Sequence, residues 1–193
     1  IIVSVRKREE SLQDVPIAIS AITAQDLERK QINSLGDITK SLASVEFDEG
    51  SSKSDTRITI RGLSPTRGRQ NVAILVDGID VSTEAISNSG GGVLLNTRLV
   101  DVERIEVVKG PQLALYGRSA FAGAIQYITK DPSDVFESSV SVDANVEDQY
   151  SGTLSVSGPV LGDKLGLRFN AAAWDETGFY DNAVTGSSLA DDE

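Results

Sequence analysis

The side chains able to do chemistry in this sequence are almost all charged: 29 Asp and Glu against 18 Lys and Arg, with no His, Cys or Met in 193 residues. Without His, a Ser-His-Asp or Cys-His relay cannot be assembled. Without Cys and His, the ordinary ligand sets for structural zinc, haem and iron–sulfur clusters are missing as well. Carboxylate chemistry survives. Paired acids hydrolyse glycosides in other proteins, but no acid pair stands out in an aromatic-lined setting here, with one Trp, four Tyr and five Phe. Asp175, Glu176, Asp181 and Asp191–Glu193 lie in a polar tail and read either as divalent-cation ligands or as solvated charge. Gly90-Gly91-Gly92 is no phosphate cradle, because no GxxxxGK pattern surrounds it. The sequence thus asks for no cofactor and no metal. A net charge of −11 excludes a nucleic-acid binder dominated by a basic field.

The charge is unevenly spread. Residues 1–132 carry 16 basic and 17 acidic side chains, net −1, whereas residues 133–193 carry 2 and 12, net −10. A boundary is expected near Lys130-Asp131-Pro132-Ser133. No apolar stretch approaches the roughly 20 residues of a spanning helix. The absent initiator Met points to a processed or trimmed chain, and a signal peptide could have preceded Ile1.

The elements that would position these groups differ between the two parts. The first reads as mixed α and β. Val15–Ile22 is β-branched and alternating, a strand. Thr23 with Asp26 three residues on marks a helix start, for a helix over 24–31. Ser34 and Asp37 repeat that signal, with Leu35, Ile38 and Leu42 at helical spacing to about Ala43. Arg57–Gly62 is a short alternating strand, and Ser64–Asn71 a polar loop. Val72–Val76 is continuously apolar, a strand covered on both faces. Asp77-Gly78 is a tight-hairpin signal, with Ile79-Asp80-Val81 starting back and Ser82–Asn96 a flexible loop. Val100–Arg104 reads as a short helical turn, Ile105–Val108 as a strand closed by Gly110-Pro111, Tyr116-Gly117 as a turn, and Gly123–Thr129 as a strand.

The second part has strict period two. Val140, Val142, Ala144 and Val146 alternate with Ser139, Ser141, Asp143 and Asn145. Leu154 and Val156 alternate with Thr153, Ser155 and Ser157, and Leu165, Leu167, Phe169, Ala171 and Ala173 alternate with smaller or polar residues. Two structures share this pattern: a soluble antiparallel sheet on a core, and a transmembrane barrel wall with apolar residues toward lipid. Spans of about 9–11 residues suit a tilted membrane strand. Three strands cannot close a barrel, and open edges cannot face lipid. The reading favoured is a chain that continues beyond residue 193.

At this point the residues resemble a known family, the TonB-dependent outer-membrane receptors of Gram-negative bacteria. Ile1-Ile2-Val3-Ser4-Val5 looks like the TonB-box region. Ile58-Thr59-Ile60-Arg61-Gly62 is similar to the plug's "IRG" strand and Val76-Asp77-Gly78-Ile79 to its "VDG" hairpin. Val102–Pro111 is similar to "VERIEVxxGP", and Leu115-Tyr116-Gly117-Arg118, Gly123-Ala124-Ile125 and Ile128-Thr129-Lys130 close the set, in the family's order. Lys109, Ala122, Gln126 and Gln112-Leu113-Ala114 depart from its usual residues.

The resemblance implies an α+β plug domain, a small mixed sheet with short helices, followed by antiparallel transmembrane β-barrel strands. The whole barrel would have about 22 strands and is incomplete in this chain. It implies three regions: a TonB-box-like segment at 1–5, the plug at 6–132, and the start of the barrel at 133–193. The implied function is energised uptake of a scarce, bulky nutrient, a ferric siderophore-type chelate above all, across the outer membrane. The partners are TonB, outer-membrane lipid and a small-molecule substrate, with a monomeric barrel. Ile1, Ile2, Val3, Ser4 and Val5, extended and β-branched, would add a strand to a partner's sheet edge. Arg67, Arg69, Gln70, Asn88 and Arg98 would face the substrate from plug loops, the arginines drawing an anionic ligand. Arg57, Arg61, Arg104, Lys109 and Arg118 would pair with acids on the barrel wall. The alternative functions are a soluble plug-like binding module and a carboxylate-pair enzyme.

Overall fold

A computed structural model of the 193-residue chain describes residues 2–4, 10–30, 32, 34–49, 56–65, 70–82, 100–144, 149–162, 164–176, 180–181 and 188–189. The chain divides into two compact units, Ile1–Thr129 and Lys130–Glu193.

In the first unit, β1 (Ile2–Val3) and β2 (Glu10–Ser11) form a two-residue antiparallel ladder. β3 (Ile19–Thr23) is shorter than the Val15–Ile22 run from which it arises. Pro16 has no N–H to give to a ladder. α1 (Ala24–Arg29) starts where Thr23 caps it: the Asp26 amide donates to Thr23 Oγ1, and that hydroxyl donates to the Asp26 carboxylate at 3.0 Å. The hydroxyl's hydrogen bond holds the Asp26 carboxyl below its ordinary value. Ser34 and Asp37 build the same start for α2 (Leu35–Ser41). Ser44, at φ 68°, then turns the chain into β4 (Val45–Glu49), which pairs antiparallel with β5 (Thr56–Ile60).

The main sheet is built by β6 (Val72–Val76), β7 (Ile79–Asp80), β8 (Val102–Lys109) and, after the short helix α3 (Leu113–Tyr116), β9 (Gly123–Thr129). Its order is β3-β8-β9-β6-β7, with β6 and β9 parallel and the other neighbours antiparallel. Asp77 (φ 48°) and Gly78 (φ 81°) both take left-handed backbone, which a two-residue hairpin of matching twist requires. The Asp77 carboxylate also accepts from the Thr129 amide and hydroxyl, each at 2.9 Å, and so ties the hairpin to the end of β9.

The sheet is covered on both faces. Val72 and Ile74 of β6 join Ile105, Val107 and Ile125 in one apolar cluster under α1, α2 and the β4–β5 hairpin. Ala73 and Leu75 point the other way, into a second cluster with Val3, Val108, Tyr116 and Ala124. This is the burial expected of the unbroken Val72–Val76 run. Each fully buried aliphatic, such as Leu35, Ile38 or Ile60, contributes about 1.5–3 kcal/mol.

The helical turn expected at Val100–Arg104 does not form. Asp101 sits at φ 58°, and from Val102 onward the chain is strand, with a register irregularity between Val102 and Arg104. β8 lies between β3 and β9, so a helical turn there would orphan ladder hydrogen bonds on both sides.

In the second unit, β10 (Glu137–Ala144), β11 (Gln149–Pro159) and β12 (Gly166–Glu176) form an antiparallel sheet in chain order. A turn with Gly162 at φ 51° joins the last two, its Val160 amide donating to the Leu165 carbonyl at 2.7 Å. Within the expected acidic tail, β13 (Tyr180–Asp181) pairs with β14 (Ser188–Leu189). Register places Val140, Leu154 and Ala171 in one row and Val142, Gly152 and Ala173 in the next. The opposite face carries rows such as Ser139, Ser155 and Asn170. The apolar face is uncovered: Val140 is 71% exposed, Val142 78%, and Leu167 and Phe169 are exposed too. No described helix is long and apolar enough to cross a membrane, a statement that leaves strands aside.

Among the described glycines of the first unit, Gly123 makes the tightest approach. A Cβ there would lie 2.2 Å from the Val108 carbonyl oxygen and 2.9 Å from Ile60 Cδ1. Gly123→Ala must therefore push β8 and β9 apart and is expected to cost about 1–3 kcal/mol or more. Denaturant unfolding checks this; a loss too small to measure would mean the strands yield freely.

Candidate functional site

The N-terminal segment is docked, and its alternation shows how. Ile2 is 57% exposed while Val3 is buried among Val15, Ala73, Leu75, Val108 and Tyr116. Neighbouring residues of an extended chain face opposite ways. The next amide, that of Ser4, donates to both oxygens of Glu106, at 2.9 and 3.0 Å. Arg104 Nε donates to the same carboxylate at 2.8 Å. Glu106 has no exposed surface and is the one fully buried charged residue among those described. Its pairing follows from strand geometry: Arg104 and Glu106 stand two apart in β8, on one face, and Gln126 is the register partner of Glu106 on β9. Gln126 Nε2 reaches Ser4 Oγ at 3.4 Å, and the Tyr116 hydroxyl donates to Gln126 Oε1 at 3.4 Å.

The electrostatics follow from burial. Burial opposes the charge on Arg104, but the hydrogen bond to Glu106 and the attraction of Glu106 and Glu103 outweigh it, so the guanidinium is held above its ordinary value. Burial, helped by the negative charge of Glu106, pushes the Tyr116 phenol up to about 12. Burial also raises Tyr127. Removing one partner of a buried ion pair costs about 3–5 kcal/mol, because the other charge is left dry and alone.

The five cations expected to face a barrel wall are placed differently from one another. Arg104 is engaged with Glu106 and Glu103. Lys109 Nζ donates to the Ala43 carbonyl at 2.9 Å, behind α2. Arg57 lies 3.5 Å from Asp48 across the β4–β5 hairpin. Arg61, at φ 53°, and Arg118 are exposed. Of the expected substrate-facing residues, Gln70 is described and is buried. Arg67, Arg69, Asn88 and Arg98 lie outside the described residues, as do Ile1 and Val5. The chain on either side of the two loops is described. Residues 70–71 lead into the start of β6, and Ser82 Oγ accepts from the Ile74 amide at 2.8 Å. After the Asp77-Gly78 turn the chain has therefore run back beside β6, so that Ser82 lies toward the same end of that strand as residues 70–71.

Sequence reasoning missed Glu106, Gln126, Tyr116 and Asp77 as working residues. A signal existed for the first: an acid at an inward position of Ile105-Glu106-Val107-Val108, two residues after an Arg, implies a buried pair if the strand is central.

A family model described as the TonB-dependent Receptor Plug Domain matches residues 11–124. The chain belongs to the TonB-dependent receptor plug domain family. The chain is similar to the ferric enterobactin receptor PirA of Pseudomonas aeruginosa, 33% identical over 170 residues that cover 79% of this chain and 22% of that protein. The vitamin B12 transporter BtuB of Vibrio vulnificus is 31% identical over 159 residues, 81% of this chain and 25% of that protein. The chain thus spans about a quarter of the length of these curated relatives. Among solved structures, the pyoverdine outer-membrane receptor FpvA of P. aeruginosa superposes with a TM-score of 0.77 at 24% identity, over 93% of this chain and 25% of that one. The ferric yersiniabactin uptake receptor FyuA of Yersinia pestis gives 0.70 at 23%, over 91% and 27%. The fold they share is a plug followed by antiparallel strands, here with the barrel not closed.

The Tyr116 phenol yields a pH prediction. Its folded value of about 12 lies above the ordinary value near 10, so folding favours the neutral phenol. That contribution is complete below about pH 10 and is lost as pH rises toward 12. The stability gap between the native plug and Tyr116→Phe should stay constant up to about pH 10 and narrow above it, read by urea unfolding at each pH. A constant gap at every pH would show the phenol to be solvated.

Proposed function

We propose that the complete protein is a TonB-dependent importer in the outer membrane of a Gram-negative bacterium. It takes up a ferric siderophore-type chelate, with the plug gating a barrel that begins near residue 133. The observation that carries this is the pairing, in one chain, of a plug-family domain with an antiparallel sheet whose apolar face is left uncovered. A soluble module would cover that face; a wall against lipid would not. The relatives' names support the substrate class: PirA is a ferric enterobactin receptor, and FyuA and FpvA are receptors for yersiniabactin and pyoverdine. BtuB carries vitamin B12, so bulk is the common property and ferric chelation the more frequent one. These relatives are receptors and transporters, and the function is transport without catalysis.

In this reading residues 1–5 are the handle for TonB, taken up as an added strand whose backbone hydrogen bonds bear the pull. Arg67, Arg69, Asn88 and Arg98 meet the ligand, and Gln70, buried at the entry to β6, supports them. Arg61 and Arg118 pair with acids of the barrel wall, whereas Arg57, Arg104 and Lys109 hold the plug itself together. The plug, at net −1, suits a polar lumen. The barrel is monomeric.

Deleting Ile1–Val5 in the full-length receptor should abolish energised uptake and leave ligand binding intact; unchanged uptake of radiolabelled ferric chelate would refute the handle. Replacing Arg67 and Arg69 together by Ala should weaken binding of an anionic ferric chelate about tenfold or more, given the strength of charge-assisted hydrogen bonds. Equilibrium binding to purified receptor reads this, and unaltered affinity would remove both residues from the site.

A further inference from the structure

The docked segment is held in an unusual way. Its ladder with β2 is two residues long, Ile2 opposite Ser11 and Val3 opposite Glu10. So short a pairing is a weak tether. The stronger hold is at Ser4, whose backbone amide and hydroxyl both meet side chains from the floor beneath. The amide goes to both oxygens of Glu106, at 2.9 and 3.0 Å. The hydroxyl lies 3.4 Å from Glu106 Oε1, 3.4 Å from Gln126 Nε2 and 3.5 Å from Arg104 Nη2. Glu106 is fully buried, and Gln126 and Tyr116 nearly so. If Ser4 leaves, the carboxylate keeps Arg104 but loses the amide that satisfies its outward side, so departure must be matched by water or by a new partner.

We propose that Glu106 is the catch of the N-terminal segment: held in place by Arg104, it sets how often Ile2–Ser4 leave the sheet and become available to a partner strand. This rests on the reading of residues 1–5 as the partner's handle. Glu106 is a positioning residue, since it acts on the segment through the Ser4 amide. The amide of Ser4 cannot serve Glu106 and a partner's sheet at once, so docking and capture compete for the same backbone. Val3 adds an apolar anchor beside the catch, with 1% of its surface exposed. The docked state thus depends on a hydrophobic hold that any partner must overcome and on a polar hold that one atom change removes.

Two variants test this from opposite sides, in the complete receptor reconstituted in lipid vesicles. Glu106→Gln keeps the volume but replaces one acceptor oxygen with a donor facing Ser4 and Arg104. Ser4→Pro removes the amide hydrogen and leaves β8 untouched. Hydrogen exchange by mass spectrometry, on the peptide spanning residues 1–9, is expected to speed up about tenfold or more in both, the scale set by a lost hydrogen bond to a charged group. The peptides covering β6 and β9 should keep their native protection. If Glu106→Gln also loosens β9, Ser4→Pro alone decides. Unchanged exchange at residues 1–9 in Ser4→Pro would overturn the catch. A second measurement separates this from the handle reading: without nutrient, purified TonB should bind Glu106→Gln more tightly than the native receptor. Faster exchange with no gain in TonB affinity would leave the catch standing and overturn the handle.

Discussion

A carboxyl group with no exposed surface needs hydrogen-bond donors around it, and much of the plug's organisation follows from giving Glu106 those donors. Arg104 is drawn to the same face of β8, two residues away. Gln126 stands opposite on β9. The chain before the first helix is brought across the sheet so that Ser4 can supply its amide. A buried, paired charge adds little net stability compared with an apolar substitute, but it penalises every arrangement in which a partner is missing. It therefore specifies where the N-terminal segment lies more than it strengthens the fold. The apolar clusters above and below the sheet supply the strength.

The second unit obeys the opposite rule. Among the described residues, its three strands hold no buried charged side chain and join neither apolar cluster; Val140, Val142, Leu167 and Phe169 project from one face without cover. In water such a face would seek a partner. In a bilayer it is already solvated, and the remaining demand is for backbone hydrogen bonds along the outer edges. The two units thus solve the same desolvation problem in opposite senses, one by enclosing polar groups and the other by turning apolar groups outward.

Much of this was legible in the residues. The period-two runs at 139–173 foretold β10, β11 and β12 because a strand's side chains alternate whatever lies beyond them. Thr23 with Asp26 and Ser34 with Asp37 marked both helix starts, since capping is a local hydrogen-bond pattern. The unbroken Val72–Val76 run announced a strand buried on both sides. Other features were hidden. β4 was overlooked because three of its five residues are acids, although Val45 and Phe47 do alternate with Glu46 and Asp48. Val100–Arg104 looked helical because its strand character comes from β3 and β9, which lie far away in sequence. Lys109 and Arg104 read as surface cations, since no local pattern tells that Ala43 and Glu106 wait for them.

What the sequence determined alone was period, capping, turn chemistry and family, all carried by residues within a few positions of one another or by motifs in order. What only the tertiary structure decided was partnership: which cation is held inside the plug, which amide meets the buried carboxylate, which strand lies beside which. The reason is physical. Local propensities act through neighbouring bonds, whereas the cost of burying a charge depends on every group the fold brings around it, and Ser4 is 102 residues from Glu106 along the chain.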